Sequence, residues 1–414
     1  MVTVLVLGTL DTKGLEYEYL CERLRSNGVD PLVVDVGVLG EPLLTADVSR
    51  EEVARAAGAE LASLASRMDR GEAVSAMARG AAAVVGKLAE AGRIRGAIAL
   101  GGRGGTAIAS RAFRVLPLGV PKVIVSTAAS GNTQMYVGET DLVLMPSVAD
   151  IAGINRLSAR IIANAAAVLA GMVLASPLEF NASKWVVGAS MFGVTTPCVT
   201  AARARLVARG YEVLVFHMTG TGGRTLESLA GQGWLSGVLD VTTTELADEL
   251  VGGVFSAGPD RLMAARAAGV PQVVSVGALD MVNFGPPDTV PRKFEGRLFY
   301  EHNPSVTLMR TSPAECAELG RRLATRLSSG KGRCAIFLPL RGVSALSVAG
   351  GPFWAPAANE ALFGAIREHL DLGRVKLVEL DADINDPAFA TAMADELDGY
   401  MAAESDGPRT GRTE

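Results

Sequence analysis

The chain begins with Val2-Thr-Val-Leu-Val-Leu-Gly8, an apolar, β-branched run that passes into the polar segment Thr9-Leu-Asp-Thr-Lys-Gly14. A short apolar run of this kind is typical of a buried strand, and the polar segment leads into a helical pattern. The same alternation of strand and helix patterns continues along the chain. It predicts an α/β fold with two doubly wound, mostly parallel, Rossmann-like sheets.

The length of 414 residues predicts two domains. We expect an N-terminal α/β domain over residues 1–178, a C-terminal α/β domain over 184–400 and a polar tail over 401–414, with the boundary at 176–183. Strands are predicted at Val2–Gly8, Pro31–Val36, Ile94–Leu100, Pro121–Thr127 and Asp141–Met145, and then at Trp185–Ser190, Glu212–His217, Gly237–Val241, Gln272–Val276, Thr307–Arg310, Ala335–Leu338 and Val375–Leu380.

Charge and cysteine content argue against several classes of function. Lys and Arg number 39 and Asp and Glu number 44, and a net charge of −5 disfavours broad binding to nucleic acid or to an anionic membrane. Four widely spaced cysteines predict buried thiols in a reducing compartment, so we expect a cytoplasmic protein. The charge-free stretch 161–178 is long enough to span a membrane, but Asn164 and many small residues favour a buried helix.

Glycines and polar residues follow the predicted strands of the first domain, where ligands of a doubly wound sheet bind. Glycines allow backbone N–H groups to approach an anion, and helix N-termini add partial positive charge. Asp35, at the end of the second strand, is suited to accept a hydrogen bond from a ribose hydroxyl. The other candidates for a nucleotide site are Thr12, Lys13, Gly101, Gly102, Arg103, Gly104, Gly105, Thr106, Thr127 and Thr133.

Known nucleotide fingerprints match these segments only in part. The P-loop pattern requires Gly-Lys followed by Ser or Thr, whereas here Lys13 precedes Gly14. The segment from Gly102 to Ala107 matches a dinucleotide pattern, but no acidic residue follows at the required spacing. The alternative is that these glycines only permit close packing of helix against strand.

The densest polar segment of the second domain is His217-Met-Thr-Gly-Thr-Gly-Gly-Arg224. A strand-end histidine beside a glycine turn and an arginine could combine acid–base chemistry with anion binding. We therefore take His217, Arg224 and the strand-end Asp240 as candidate catalytic residues. The alternative is a histidine packed at a sheet edge. No set of Cys or His residues has the spacing of a metal site, so the sequence does not identify a metal.

Two further segments of the second domain carry polar residues after strands. Thr242 and Glu245 have the spacing of a capping box, so we interpret this pair as the start of a helix. The segments 278–285 and 301–303, the second of which is Glu-His-Asn, could line the same cleft as His217.

An internal duplication is one explanation for two similar glycine segments. Residues 101–106 and 220–225 each follow a predicted strand, and Gly-Val-Pro occurs later in each half, at 119–121 and 269–271. The offsets differ, so one half would need an insertion. Convergence within α/β proteins explains the same observations equally well.

Several motifs in series resemble the family named for the tomato protein that confers resistance to tomato mosaic virus. The resemblance covers residues 1 to 400. Its motifs are Gly8–Gly14, Asp35-Val-Gly-Val-Leu-Gly40, the loop 101–105, Met191-Phe-Gly-Val-Thr-Thr-Pro197, His217–Arg224, Asp240–Glu245, Asp280-Met-Val-Asn-Phe-Gly285 and His302-Asn-Pro304.

The resemblance implies homodimeric assembly and ATP bound in the first domain. We expect ATP that is held by backbone amides and one or two cations to require Mg. ATP would contact the loops 8–14, 101–106 and 126–133 together with Asp35, which adds Thr9, Asp11, Ser126, Gly131 and Asn132 to the candidates. The sequence departs from the family pattern at Arg103, where a small residue is usual, at Asp383, where we expect histidine, and near Ser347, where we expect an acidic residue.

These observations lead to three hypotheses. The first is a homodimeric ATP-binding protein with a small-molecule catalytic site in the second domain. The second is a non-catalytic module that senses the nucleotide and binds a protein partner. The third is an enzyme that acts on carbohydrates or carboxylates without any nucleotide.

Overall fold

The structure is a computed structural model that describes residues 2–175 and 185–405. The chain divides into two compact units, 1–179 and 180–414, which we call the N-terminal unit and the C-terminal unit. The predicted boundary at 176–183 and residues 406–414 of the predicted tail lie outside the described residues. Residues 401–405 belong to the last helix, and Met401 is buried.

The N-terminal unit contains one sheet of five parallel strands in the order β2-β1-β3-β4-β5. Its elements are β1 (Val2–Gly8), α1 (Leu10–Ser26), β2 (Val29–Asp35), α2 (Arg50–Ala56), α3 (Leu61–Ser66), α4 (Arg70–Glu90), β3 (Ala97–Gly101), α5 (Arg103–Phe113), β4 (Lys122–Ser126), α6 (Gln134–Val137), β5 (Val143–Pro146) and α7 (Arg156–Leu174).

Helices cover both faces of this sheet. Tyr17 of α1 and Ile162 of α7 belong to one buried apolar cluster, and Met77 of α4 and Ile108 of α5 belong to another. Alternate residues of β1 contribute to the two clusters, because successive side chains of a strand point to opposite faces. The all-parallel sheet is therefore buried on both sides, which explains the nearly continuous apolar runs of its strands.

Helix α7 covers most of the charge-free stretch 161–178, which is long enough to span a membrane. By length and composition alone it could span a bilayer, and 33% of its most apolar window is buried in this structure. Ile162 and Leu169 pack in the core, whereas Val168 and Met172 are exposed. The expected buried helix is therefore buried along one face.

The strand order reverses between β1 and β3. From β1 the chain moves to β2 on one side and then returns across β1 to β3 on the other. The loops after β1 and β3 therefore lead into helices that diverge, and ligands of doubly wound sheets bind in the crevice at this switch point. The candidate segments 9–13 and 101–106 are the two loops in question.

The phenol of Tyr17 joins β1 to β3 at the point where the strands separate. Its hydroxyl oxygen lies 2.8 Å from the Leu7 carbonyl oxygen and 2.7 Å from that of Leu100, and it accepts a hydrogen bond from the Leu100 N–H at 2.9 Å. A Cβ at Gly8 would lie 1.9 Å from the Tyr17 ring, so only glycine fits there. Burial raises the pKa of this phenol, which stays protonated.

The C-terminal unit contains a six-stranded parallel sheet in the order β14-β13-β9-β8-β6-β7 and a separate antiparallel sheet in the order β10-β12-β11. Its elements are β6 (Val186–Met191), α8 (Thr196–Ala208), β7 (Glu212–His217), α9 (Thr221–Gly231), β8 (Gly237–Thr242), α10 (Glu245–Val251), α11 (Ala264–Ala268), β9 (Gln272–Gly277), β10 (Met281–Phe284), β11 (Phe299–Asn303), β12 (Val306–Arg310), α12 (Pro313–Ser328), β13 (Cys334–Pro339), α13 (Pro356–His369), β14 (Lys376–Leu380) and α14 (Pro387–Ser405).

Both units share one strand order. When the strands of each parallel sheet are numbered in chain order, both sheets have the order 2-1-3-4-5, and the sheet of the C-terminal unit adds a sixth strand. The two Gly-Val-Pro segments precede the fourth strand of each unit, at equivalent positions. The two glycine segments are not equivalent, because 101–106 follows a third strand and 220–225 follows a second strand. The shared topology fits duplication and convergence alike.

The predicted fold class is confirmed, and the sequence patterns missed some local features. The helical pattern of residues 50–67 predicts a single helix, but the structure has two, because Gly58, with φ +71°, ends α2. Strands β10 and β11 were not predicted, since β10 has four residues and β11 is largely polar and exposed. Predicted strand 307–310 is β12, which pairs with these two strands and not with the parallel sheet.

Replacement of Tyr17 by phenylalanine should destabilise the protein by about 1–3 kcal/mol, because backbone groups of Leu7 and Leu100 lose a buried partner. Urea unfolding of the two proteins would measure this difference. The matched control is Tyr19→Phe on the same helix, which is partly exposed and should change stability by less than about 0.5 kcal/mol. Equal effects of both changes would refute the bridging role of Tyr17.

Candidate functional site

The glycine turn after β3 lies at the switch point of the N-terminal unit. Helix α5 begins at Arg103, and its N-cap residue Gly102 makes no side-chain capping hydrogen bond. The first-turn N–H groups of a helix have no partner within the helix and can bind an anion. A Cβ at Gly101 would lie 3.0 Å from the backbone of Gly105, which explains the glycine there.

Two candidate hydroxyl groups contact each other next to this turn. Thr106 Oγ1 and Ser126 Oγ lie 2.6 Å apart, and both residues are buried. The backbone N–H of Thr127 donates to the Gly101 carbonyl at 3.2 Å. These contacts fasten the end of β3 to the end of β4. Thr106 and Ser126 therefore hold the shape of the turn and do not face the crevice.

Two candidate aspartates join the loops after β1 and β2. Asp35 Oδ1 accepts hydrogen bonds from the N–H groups of Leu10 at 3.1 Å and Gly37 at 2.8 Å. Asp11 Oδ2 accepts from Val38 and Leu39 at 3.1 and 2.8 Å. Burial raises the pKa of Asp35. Each carboxylate thus holds a neighbouring loop, a role that the sequence did not indicate.

The Lys13 ammonium is engaged by a backbone carbonyl of the N-terminal unit. Its Nζ donates to the carbonyl of Ile151, in the loop after β5, and its own backbone departs from helical geometry. Glu16 Oε1 accepts from the N–H of Gly153 in the same loop at 2.7 Å. Lys13 and Glu16 together fasten this loop to α1.

The remaining candidates of the N-terminal unit are more exposed. The hydroxyls of Thr9 and Thr12 lie 2.9 Å apart at the start of α1. Gly131 and Asn132 lie on the surface, and Thr133 precedes α6. Among the hydrogen bonds of residues 2–175, none joins 131–133 to the turn at 101–106. The fourth loop therefore meets the glycine turn through Ser126 and Thr127 and not through residues 131–133.

Sequence reasoning missed Arg70. This residue begins α4, and its Nη2 lies 3.7 Å from the place that a Cβ of Gly104 would occupy. The guanidinium therefore lies beside the first turn of α5. No motif connects Arg70 with residues 101–106, and only the packing of α4 against α5 brings them together.

A cavity of about 340 Å³ lies at the end of β2, next to this crevice. Asp35 contributes to one wall, and most of the others come from the segment between β2 and α2. The lining residues are Asp35, Glu41, Pro42, Leu43, Leu44, Thr45, Ala46, Ser49, Arg50 and Glu51.

The glycine turn of the C-terminal unit holds a carboxylate from its own chain. Glu245 Oε1 accepts hydrogen bonds from the N–H groups of Gly220 at 2.8 Å and Gly223 at 3.0 Å. A Cβ at Gly223 would lie 1.9 Å from Glu245 Oε2. Glu245 therefore occupies the place that an external anion would take at the start of α9.

Asp240 and Glu245 share a buried cation, Arg261, which the sequence analysis missed. The guanidinium forms two hydrogen bonds of 2.7 Å with Asp240 and one of 2.8 Å with Glu245 Oε2. All three side chains are fully buried. Asp240 lies within β8 and not at its end as predicted, and its carboxylate has a structural partner inside the fold.

The capping-box interpretation of Thr242 and Glu245 is wrong. Helix α10 has Thr244 as its N-cap, without a side-chain capping bond. Thr242 Oγ1 lies 2.7 Å from Thr195 Oγ1, and this contact joins the loop after β6 to the end of β8.

The third catalytic candidate, Arg224, donates to the Ser256 carbonyl at 3.1 Å and to Thr221 Oγ1 at 3.3 Å.

His217 lines a cavity of about 170 Å³ together with His302 and Asn303. The expectation that segment 301–303 shares a cleft with His217 is confirmed for these two residues, whereas Asp240 and Arg224 are not among the lining residues. Burial lowers the pKa of His217, which favours the neutral imidazole. A neutral imidazole can accept or donate a proton.

The departures at 347 and 383 lie in structural positions. Ser347 is buried, and its N–H donates to Ser344 Oγ at 3.1 Å. Asp383 Oδ1 accepts from the N–H of Asn385 at 2.8 Å, and Asn385 in turn contacts the loop after β6.

Comparison with known proteins assigns the chain to a family. The N-terminal domain of the uncharacterised protein family UPF0261 matches residues 2–177, and its C-terminal domain matches residues 184–401. The chain belongs to the UPF0261 family. Its UPF0261 relatives include a protein of Clostridium tetani, 48% identical over 398 residues, which are 96% of this chain and 98% of the relative.

Two other relatives extend this picture. A UPF0261 protein of Rhizobium meliloti is 48% identical over 95% of this chain and 97% of its own length. The ToMV resistance protein Tm-1 of Solanum lycopersicum is 42% identical over 95% of this chain, which corresponds to 55% of the tomato protein. The resemblance that the motifs indicated is confirmed at the level of the UPF0261 family.

Removal of the Glu245 carboxylate should destabilise this UPF0261 protein strongly. Glu245→Ala leaves Arg261 with an incomplete set of partners in the core, which costs about 3–5 kcal/mol. The control is Glu318→Ala, which removes two arginine contacts at the surface and should cost at most about 1 kcal/mol. Urea unfolding measures both, and equal losses would contradict a buried role for Glu245.

The His217 imidazole should titrate below the ordinary pKa of about 6.5. Since the unfolded chain then binds a proton at higher pH than the folded chain, the contribution of His217 to stability is complete above pH ~6.5 and declines as the pH falls. NMR titration measures the pKa of the His217 imidazole. The His217→Gln variant assigns its signal, and a histidine peptide supplies the reference pKa. A His217 pKa equal to or above that of the peptide would refute the argument.

Proposed function

We propose that this protein binds ATP, with Mg, at the switch point of the N-terminal unit, and that it acts as a homodimer. The supporting observation is the contrast between two glycine turns. Glu245 fills the turn at 220–223, whereas among the described residues no carboxylate bonds to the N–H groups of 102–105. The turn after β3 is therefore the one suited to receive an external polyphosphate.

The charges around this turn suit a triphosphate. Arg103 begins α5, and the guanidinium of Arg70 on α4 lies beside the same turn. These two residues replace Lys13 as the cations of the proposed site because Lys13 binds the Ile151 carbonyl. The exposed hydroxyls of Thr9 and Thr12 face solvent at the start of α1. Mg²⁺ would be held chiefly by the phosphate oxygens of ATP.

The cavity beside Asp35 is the proposed place for adenosine. Its volume of about 340 Å³ lies within the range of ordinary small-molecule sites, and Leu43 and Leu44 supply apolar surface. Asp35 Oδ1 already accepts two backbone hydrogen bonds, so contact with ribose would use the other carboxylate oxygen.

Calorimetry with Mg-ATP tests the proposal. The double variant Gly104→Val and Gly105→Val should weaken binding at least about tenfold, because a Cβ at 104 lies 3.7 Å from Arg70 Nη2 and one at 105 lies 3.6 Å from the Leu100 carbonyl oxygen, so the larger side chains displace the cation and the turn. Gly171→Val on the open face of α7 is the matched control and should bind as the wild type does. Absence of heat with any purine triphosphate, or unchanged affinity of the double variant, would overturn the assignment.

We also propose a small-molecule catalytic site at His217, because two histidines line one cavity. The alternative is that ATP only controls the binding of a protein partner. Metabolite turnover by the wild type, compared with turnover by His217→Gln, distinguishes the catalytic site from this alternative. Turnover that depends on His217 supports the enzyme. ATP binding that persists without any product would favour the nucleotide-sensing module.

A further inference from the structure

The cavity at His217 has the size of a single ring. It lies within the C-terminal unit, among the loop after β6, the end of β7 and the hairpin β11–β12. Its volume is about 170 Å³, and an apolar cavity of about 150 Å³ suffices for benzene. Its lining residues are Phe192, Gly193, Val194, His217, Thr219, Phe255, His302, Asn303, Val306 and Leu308.

Aromatic side chains form one wall of this cavity. The ring centroids of Phe192 and His217 lie 5.3 Å apart with an interplanar angle of 45°, and Phe255 meets Phe192 edge-on at 6.2 Å. Rings arranged in this way present both faces and edges to a third ring. The geometry favours a flat ligand over a branched aliphatic one.

The polar residues that line the cavity are His217, Thr219, His302 and Asn303. None of the described lining residues is Lys, Arg, Asp or Glu, and partial burial favours the neutral form of His217. A charged ligand would lose part of its hydration there and would meet no carboxylate, lysine or arginine as an ionic partner among these residues. Imidazole, amide and hydroxyl groups can each donate or accept hydrogen bonds, so they match a polar but uncharged substituent.

Ala278, which packs in the same apolar cluster as Phe192, has a strained backbone. Ala278 has φ +57°, a conformation that favours glycine, and it is fully buried. It belongs to one apolar cluster with the cavity residues Phe192, Val194 and Leu308. Strained backbone of this kind is concentrated at functional sites. This observation is independent of the cavity's shape and points to the same place.

We propose that this cavity binds one uncharged six-membered ring, aromatic or heteroaromatic, that carries an amide, carbonyl or hydroxyl group. The inference rests on the small-molecule site of the proposed function and specifies its ligand class. The ring lies against Phe192 and Phe255, and its substituent exchanges hydrogen bonds with the histidine and asparagine side of the cavity.

Benzamide is the probe, and benzoate is its charged counterpart of nearly equal shape. The full chain contains three histidines, so isotope-labelled histidine gives three imidazole signals that His→Gln variants assign. Benzamide should shift the signals of His217 and His302 to saturation and leave that of His369, on α13, unchanged. Benzoate should bind at least about tenfold more weakly.

Gly193→Leu supplies the blocking variant. Gly193 lines the cavity and a Cβ there would meet no atom within 4 Å, so leucine adds side-chain volume at the cavity without distorting the fold. Gly399→Leu on α14 has equally open surroundings outside the cavity and is the matched control. Benzamide binding should be lost in the first variant and retained in the second.

Several results would overturn the inference: no benzamide shift up to its solubility limit, equal shifts of all three histidines, equal binding of benzoate, or full binding by Gly193→Leu. Calorimetry with Mg-ATP on the same sample keeps the two proposals distinct. Benzamide binding without ATP binding would refute only the nucleotide site, and the reverse result would refute only the ring site.

Discussion

Parallel strands of one sheet all end at the same edge, and this constraint decides where chemistry can occur in each unit. Every crossover helix begins near that edge, so helix N-termini, glycine turns and strand-end side chains collect there. Where the strand order reverses, the helices diverge and a crevice opens. In the N-terminal unit the strands beside the crevice are β1 and β3, and the buried phenol of Tyr17 bonds to the backbone of both.

Similar glycine segments serve different purposes in the two units. The turn at 220–223 surrounds the carboxylate of Glu245, which also accepts a hydrogen bond from Arg261. The turn at 101–105 is supported from beneath by two hydroxyls and has arginines beside it. A helix N-terminus attracts negative charge in both cases. The difference lies in whether the chain supplies that charge itself.

The C-terminal unit keeps the Arg261 network separate from the His217 cavity. Arg261 pairs with Asp240, Glu245 and Glu227, and backbone N–H groups donate further hydrogen bonds to Glu245 and Glu227. The cavity of His217 is lined instead by apolar side chains and by histidine, threonine and asparagine. Residues that the sequence grouped as one catalytic set are thus divided between a stabilising network and a potential binding site.

The sequence by itself determined the fold class, most strands of both sheets and the segments that reach the ligand edge, because apolar period and glycine position are local properties. Only the tertiary structure decided which polar groups are engaged inside the fold. Lys13, Asp35 and Asp240 have partners 138, 25 and 21 residues away, and no local pattern encodes contacts of that range. Arg70 and Arg261 carried no motif for the same reason, since the packing of α4 against α5 brings Arg70 to its turn and the turn before α11 places Arg261 beside Glu245.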